Sequence, residues 1–216
     1  MTWVQIPESL EIPLGERPVY LVRKSFPLEQ VPASATLRAS AQGIYTAYVN
    51  GKRVGDWELT PGYTQYEKRI QFQEYEVSEF LVQGENAITF ELADGWFRGS
   101  VSIFQAGNQF GESVGLWAEL DLADRVLDTD ETWVFTTSHI LAADLMRGQR
   151  EDRRLIDQQN YLPGSAVNWR QVKPIAVDAA LIPQQCEPNR VVERVAPVSI
   201  TQLSDGTQLI DFGQNL

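Results

Sequence analysis

A chain of 216 residues that is 43% hydrophobic and 10% aromatic can bury a large core, which excludes a disordered tail. Its 18 Lys and Arg against 29 Asp and Glu leave a formal charge of −11, which repels a phosphate backbone and argues against a nucleic-acid partner. With a single cysteine and a single histidine, an intrachain disulfide, a cysteine-based metal cluster and every two-histidine site are excluded.

The opening MTWVQIPESLEIP carries neither a basic nor an apolar leader region, and no later apolar run is long enough to span a bilayer. No membrane partner is expected, and the expected location is cytoplasmic. Further on, Asn50-Gly51 separates IYTAYV from KRVGDWEL. That dipeptide predicts a tight hairpin, because both central positions of a type I′ turn need positive φ. Pro61-Gly62 marks another turn. KRIQFQEY places Ile70 and Phe72 on one face of a strand, and YEVSEFLVQGEN predicts a helical turn around Ser78 to Leu81, ended by Gly84. In AITFELA, Ile88, Phe90 and Leu92 share a face opposite Thr89 and Glu91. In GLWAELDL, Leu116, Ala118, Leu120 and Leu122 face away from Trp117, Glu119 and Asp121. Side chains that alternate in this way belong to half-buried antiparallel strands.

The expected fold is therefore all-β: a jelly-roll β-sandwich of galactose-binding-like type over residues 1–160. Composition then shifts to Pro, Gln and Asn, and alternation fades. Residues 161–190 read as a connector wrapping the sandwich. Alternation returns around the turn SDGT, so residues 191–216 read as the first strands of a second β-domain. A two-stranded hairpin is marginal alone in water, and further chain is expected to join it.

Several segments fall in a recognisable order: YVNGKRVGD, PGYTQY, YEVSEFLVQGENAI, LADGWFRG, DETWVF, GQREDRR and IDFGQNL. Together, from about residue 18 to the end, they resemble the N-terminal region of bacterial α-L-rhamnosidases of glycoside hydrolase family 78. The resemblance implies β-sandwich domains, then a further β-domain opening near DFGQN, and then an (α/α)6 barrel. That barrel holds the acidic residues that hydrolyse terminal α-L-rhamnosyl bonds with inversion. No barrel segment is present in this sequence, so no catalytic residue is carried over. The implied partners are a rhamnose-containing glycan or glycoside and the missing C-terminal domains of the same polypeptide. Two departures stand out. The family's GE-x-YD-x-R is here GQREDRR, in which Gln149 and Glu151 differ while Asp152 and Arg154 can still pair. The family's PGWT has Tyr63 in place of tryptophan, which keeps an aromatic face.

If the region grips sugar, Trp57, Tyr63 and Trp96 supply planes for C–H faces, and Asp56, Asp94 and Arg98 supply polar partners for hydroxyls. The competing reading is purely structural. In it Trp96 and Tyr66 fill the core or a domain interface, Asp94-Gly95 makes a turn, and Gly95 and Gly99 allow close backbone approach. Some family jelly rolls bind rhamnose with calcium. Asp56 and Asn108 are the candidate ligands here, although Trp57 stands where a second polar ligand would be useful. Autonomous catalysis is not expected. Carboxylate pairs such as Glu151 with Asp152, or Asp128 with Asp130, read as a solvated face, and His139 and Cys186 lack activating neighbours. The arginines at 147, 150, 153 and 154 read as ion-pair donors.

Overall fold

The alternating segments close into two large sheets in a computed structural model, which describes residues 2–8, 12–164 and 168–214. Among the described residues the larger sheet has seven strands. Its order is Lys173–Ile175, Trp3–Gln5, Gly115–Asp121, Thr36–Gln42, Arg69–Glu76 and Ala180–Pro183, with Val126–Asp128 added beside Gly115–Asp121. The second has six: Arg170–Gln171, Val134–Thr137, Tyr20–Leu28, Gly84–Ala93, Ile44–Val49 and Lys52–Arg53. Neighbouring strands run antiparallel, except that Ala180–Pro183 lies parallel to Arg69–Glu76. The longest pairing joins Tyr20–Leu28 to Gly84–Ala93 along its full length.

Side chains from both sheets meet in one core. Leu37, Ala39, Leu116, Ala118 and Leu120 of the first are buried with Val22, Ala47, Ile88, Phe90, Leu92 and Phe135 of the second. Phe90 sits centrally, its ring centroid 5.7 Å from that of Tyr45 and 6.0 Å from that of Trp133. The Asn50-Gly51 turn forms as its sequence predicts, with φ of 50° and 78° between the pairs Val49–Lys52 and Tyr48–Arg53. Asn50 does more than turn the chain. Its amide nitrogen donates to Phe80 O at 2.9 Å and to Asn86 Oδ1 at 2.7 Å, and its Oδ1 accepts from the Ala87 N–H at 2.9 Å. The helical turn expected near residue 78 is a short 3-10 segment, Ser78–Phe80.

One alternation points the other way. On Arg69–Glu76 the apolar pair Ile70 and Phe72 faces away from the main core and joins a second cluster with Trp3, Tyr66, Phe97 and Trp117. The inward position is taken by Gln73, whose Oε1 accepts from the Tyr45 hydroxyl at 2.7 Å. The outer face is apolar because later chain covers it: Ile175, Val177, Ala179 and Leu181 pack onto this cluster.

The six-stranded sheet is covered as well. Arg23, buried on its outer face, donates to the carbonyls of Gln159 at 3.3 Å, Leu162 at 3.0 Å and Gly164 at 3.2 Å. Tyr48 and Tyr161 both donate to the Glu91 carboxylate, at 3.1 and 2.6 Å. Residues 158–164 and 168–184 thus roof both outer faces and extend both sheets. The Ser199–Gln202 and Gln208–Asp211 strands pair only with each other among the described residues. Their apolar side chains Ile200, Leu209 and Ile210 are exposed. No helix among the described residues is long and apolar enough to cross a membrane.

Candidate functional site

The single helical turn Gly95–Arg98 organises most of the candidate residues. Gly95 has φ of 53°, and a Cβ there would lie 2.6 Å from Ile44 Cγ2, so neither the conformation nor the space suits a side chain. At Gly99 a Cβ would meet the Gly95 carbonyl oxygen at 2.4 Å. These two glycines press the turn onto the sheet edge and send Asp94 and Arg98, four residues apart, inward.

Asp94 and Arg98 are 2% and 1% exposed, and both serve a buried charge network. Arg98 Nε donates to Asp94 Oδ1 at 2.8 Å, and its Nη1 meets Glu8 Oε1 in a close ion pair. Arg17 Nη1 donates to Asp94 Oδ2 at 3.1 Å, to Asn108 Oδ1 at 3.0 Å and to the Arg98 carbonyl at 3.3 Å. Two guanidinium groups and two carboxylates therefore tie the N-terminal segment, the helical turn and the loop at Asn108 together. Close by, Asp144 Oδ2 accepts from the Ser100 N–H at 2.8 Å, and its Oδ1 accepts from those of Met146 and Arg147 at 2.9 and 3.0 Å.

Burial pushes the Glu8 carboxyl up to about 7, and Asp94 adds to this while Arg17 and Arg170 oppose it. Burial likewise pushes Asp94 up to about 6 against the pull of Arg17. Burial also draws Arg98 down to about 10. The folded state holds both carboxyl protons more tightly than an unfolded chain, whose carboxyls titrate near about 4. The stability they contribute is complete below that value and is lost as the pH rises through about 6 to 7. For Asp144 burial acts upward, but the N–H groups of Ser100, Met146 and Arg147 hold it below the usual carboxylate value, so its contribution fades only in more acid solution. The expected outcome is a thermal midpoint higher near about pH 5 than near about pH 8, with a shallower slope in Glu8→Gln. A midpoint that rises over this range would contradict the assignment.

The aromatic candidates are placed differently. Tyr63 is 60% exposed, and its ring stands edge-on to Tyr66, Trp96 and Phe110 at 6.2, 6.5 and 5.9 Å. Trp96 is half-buried against the second cluster, and Tyr66 lies within it. Asp56 and Trp57 form a separate group. Asp56 accepts from Arg190 Nε through both oxygens at 3.1 Å, and the same guanidinium lies over the Trp57 ring at 5.6 Å. No hydrogen bond, ion pair or ring contact joins this pair to the other candidates among the described residues.

Calcium needs several converging oxygens. Both proposed ligands are instead bonded to arginines, Asp56 to Arg190 and Asn108 to Arg17, and a neighbouring cation opposes a dication at the same oxygen. No group of three His, Cys, Asp or Glu that could hold a metal occurs among the described residues. Of the four arginines in the segment 147–154, Arg153 and Arg154 are used in ion pairs among the described residues. Asp152 binds Arg154 at 2.6 Å, Glu151 binds Arg153 at 2.7 Å, and Arg147 Nε donates to Ser100 Oγ at 3.0 Å. Arg17 and Glu8, central to the buried network, carry no local signal in the sequence, because their partners lie far along the chain.

Residues 30–193 match the family described as "Alpha-L-rhamnosidase N-terminal domain". A curated α-L-rhamnosidase of Streptomyces avermitilis is 32% identical over 191 residues, covering 84% of this chain and 18% of its own length. One from Alteromonas sp. (strain LOR) is 30% identical over 209 residues, covering 92% of this chain and 22% of its own. Among solved structures, native α-L-rhamnosidase from Aspergillus terreus matches with a TM-score of 0.91 at 27% identity, over 100% of this chain and 26% of its own. The Streptomyces avermitilis enzyme complexed with L-rhamnose matches with a TM-score of 0.85 at 31% identity, over 92% of this chain and 20% of its own. The chain thus spans about a fifth of the length of these curated relatives. With three-quarters of its residues inside the matched span, the chain belongs to the α-L-rhamnosidase N-terminal domain family.

Proposed function

We propose that this chain is the non-catalytic accessory region of an α-L-rhamnosidase, a jelly-roll sandwich of galactose-binding-like type that positions a catalytic (α/α)6 barrel carried elsewhere on the polypeptide. In this reading residues 1–160 are the sandwich, 161–190 the connector that seals it, and 191–216 the opening of a second β-domain. The parent protein would hydrolyse terminal α-L-rhamnosyl bonds in a rhamnose-containing glycan or glycoside. The observation that carries this reading is the match of the whole chain to one quarter of a solved α-L-rhamnosidase with a TM-score of 0.91.

The chemistry of the chain supports a non-catalytic role. An inverting glycosidase needs two free carboxyl groups about 6.5–9.5 Å apart, with room for a water between them. The buried carboxylates Glu8 and Asp94 are instead engaged by Arg98 and Arg17. The second reading, a purely structural domain without a ligand, draws on the burial of Asp94 and Arg98. Tyr63, with its exposed ring, favours contact with a ligand or another domain. An aryl α-L-rhamnoside assay tests the proposal. The 216-residue chain is expected to give no turnover, and the longer polypeptide that carries it is expected to cleave the substrate. Turnover by the purified chain, or an inactive longer polypeptide, would refute it.

A further inference from the structure

We propose that the loop 101–106, with the groove beside it, is the docking face for the module that follows the sandwich on the same polypeptide, the β-domain opened by the 199–211 hairpin. The proposal rests on the reading of the chain as part of a longer α-L-rhamnosidase and names a partner surface within it.

Ile103 and Phe104 stand side by side at the tip of the loop, 87% and 83% exposed. The loop's own bonds hold them there. Val101 and Ala106 exchange backbone hydrogen bonds at 2.9 and 3.1 Å, and the Gln105 N–H donates to the Ser102 carbonyl at 3.0 Å. Ser102 and Gln105 take φ of 63° and 49° to close the turn. At the base, the Ser100 N–H donates to Asp144 and its hydroxyl accepts from Arg147 Nε, which fastens the loop to the turn that carries the exposed Met146. Next to that turn lies a groove of about 300 Å³, in which Ile44, Leu59, Ala93 and Leu145 outnumber the polar Asp144 and Gln149. Leu59 has φ of 56°, a conformation rare for a branched side chain.

These features select the occupant. Residues 99–111 hold no charged side chain in a chain that is 22% charged, and the centres of protein interfaces are depleted in charge and enriched in aromatic side chains and Met. A planar bilayer would meet the tip and leave the groove unfilled. Side chains of this size carry about 200 Å² each, so Ile103, Phe104, Met146 and Leu59 together present on the order of 500 Å². A stable pair of copies covers about 800 Å² on each partner, so this face alone does not hold a second copy. A tethered module needs less area, because the tether supplies effective concentration. The tether also leaves at the right place. Asn189–Arg190 pairs with Trp57–Glu58, immediately before Leu59, and the chain runs from there to the hairpin with its exposed Ile200, Leu209 and Ile210.

The test irradiates the longer polypeptide carrying Phe104→p-benzoylphenylalanine and reads the cross-linked peptide by mass spectrometry. The cross-link is expected within one polypeptide, to the β-domain that follows residue 191. Amide exchange at Gln105 and Met146 is expected to be at least about tenfold slower in the longer polypeptide than in the 216-residue chain. The double variant Ile103→Ser, Phe104→Ser is expected to restore the faster rate at Met146, whereas Val126→Ser, at an exposed position beside Asp121, leaves it slow. In the 216-residue chain the double variant is expected to keep its thermal midpoint, and a lowered midpoint would show that the two side chains pack within the chain and would overturn the proposal. No cross-link, a cross-link to the barrel or to a second copy, equal exchange rates in the two polypeptides, or capture of the 216-residue chain by phosphatidylcholine vesicles would each overturn it as well. A longer polypeptide that shows the cross-link without rhamnoside turnover would refute the rhamnosidase reading and leave the docking face standing.

Discussion

Replacing Arg98 with alanine is expected to lower the stability of the chain by about 3–5 kcal/mol, the cost of leaving buried charges without their partner. Its guanidinium, 1% exposed, engages both Asp94 and Glu8 and donates to the Glu112 carbonyl at 3.3 Å. Removing it leaves two carboxylates close together, with only Arg17 to hold one of them. Protonation relieves that repulsion, so the loss is expected to be larger near about pH 8 than near about pH 5. Urea unfolding of wild type and Arg98→Ala at both pH values measures it. A loss below about 1 kcal/mol at both would show the pair to be dispensable, as exposed ion pairs are.

Phe90→Ala is expected to cost about 3–5 kcal/mol by a different route, the cavity left by a large core side chain. Phe90 is fully buried on the central strand Gly84–Ala93 and pairs in register with Val22 on one side and Ala47 on the other. Both flanking strands are held through their own core contacts, so the space between Tyr45 and Trp133 cannot collapse freely. Unlike the Arg98 variant, this one should show the same loss at either pH. A pH-dependent deficit in Phe90→Ala would place the damage in the charge network instead of the core.

These two residues also show what was legible in the sequence. Phe90 stands in an alternating run whose period of two fixes which side chains face inward, and the core follows from it. The Asn50-Gly51 turn is equally readable, because positive φ at both positions is a property of the dipeptide itself. Arg98 and Asp94 are visible as chemistry-bearing residues, but their environment is not. Arg17 lies 77 positions from Asp94, and Glu8 lies 90 from Arg98. With the partners out of view, a buried network reads as a set of groups facing a ligand. Asp56 and Arg190, 134 positions apart, present the same difficulty. Asp152 and Arg154 are two apart, and their pairing could be anticipated.

The outer faces were hidden for a related reason. Alternation reports that successive side chains meet different surroundings, but not whether the second face meets water or later chain. Trp117, Ile70 and Phe72 are covered by segment 175–181, whose own pattern is too irregular to announce a strand. Cross-sheet covering of this kind depends on non-local packing, and a single sequence carries little trace of it.

That covering makes the sandwich and the chain after it one sealed unit. Amide hydrogen exchange tests this directly at Val172, Ala180 and Gln184, whose N–H groups bond to Trp133, Lys68 and Phe72. They are predicted to exchange at rates close to those of the large-sheet strands they join, and far more slowly than the 199–211 hairpin. Exchange as fast as the hairpin, with Gly84–Ala93 and Gly115–Asp121 still protected, would contradict it.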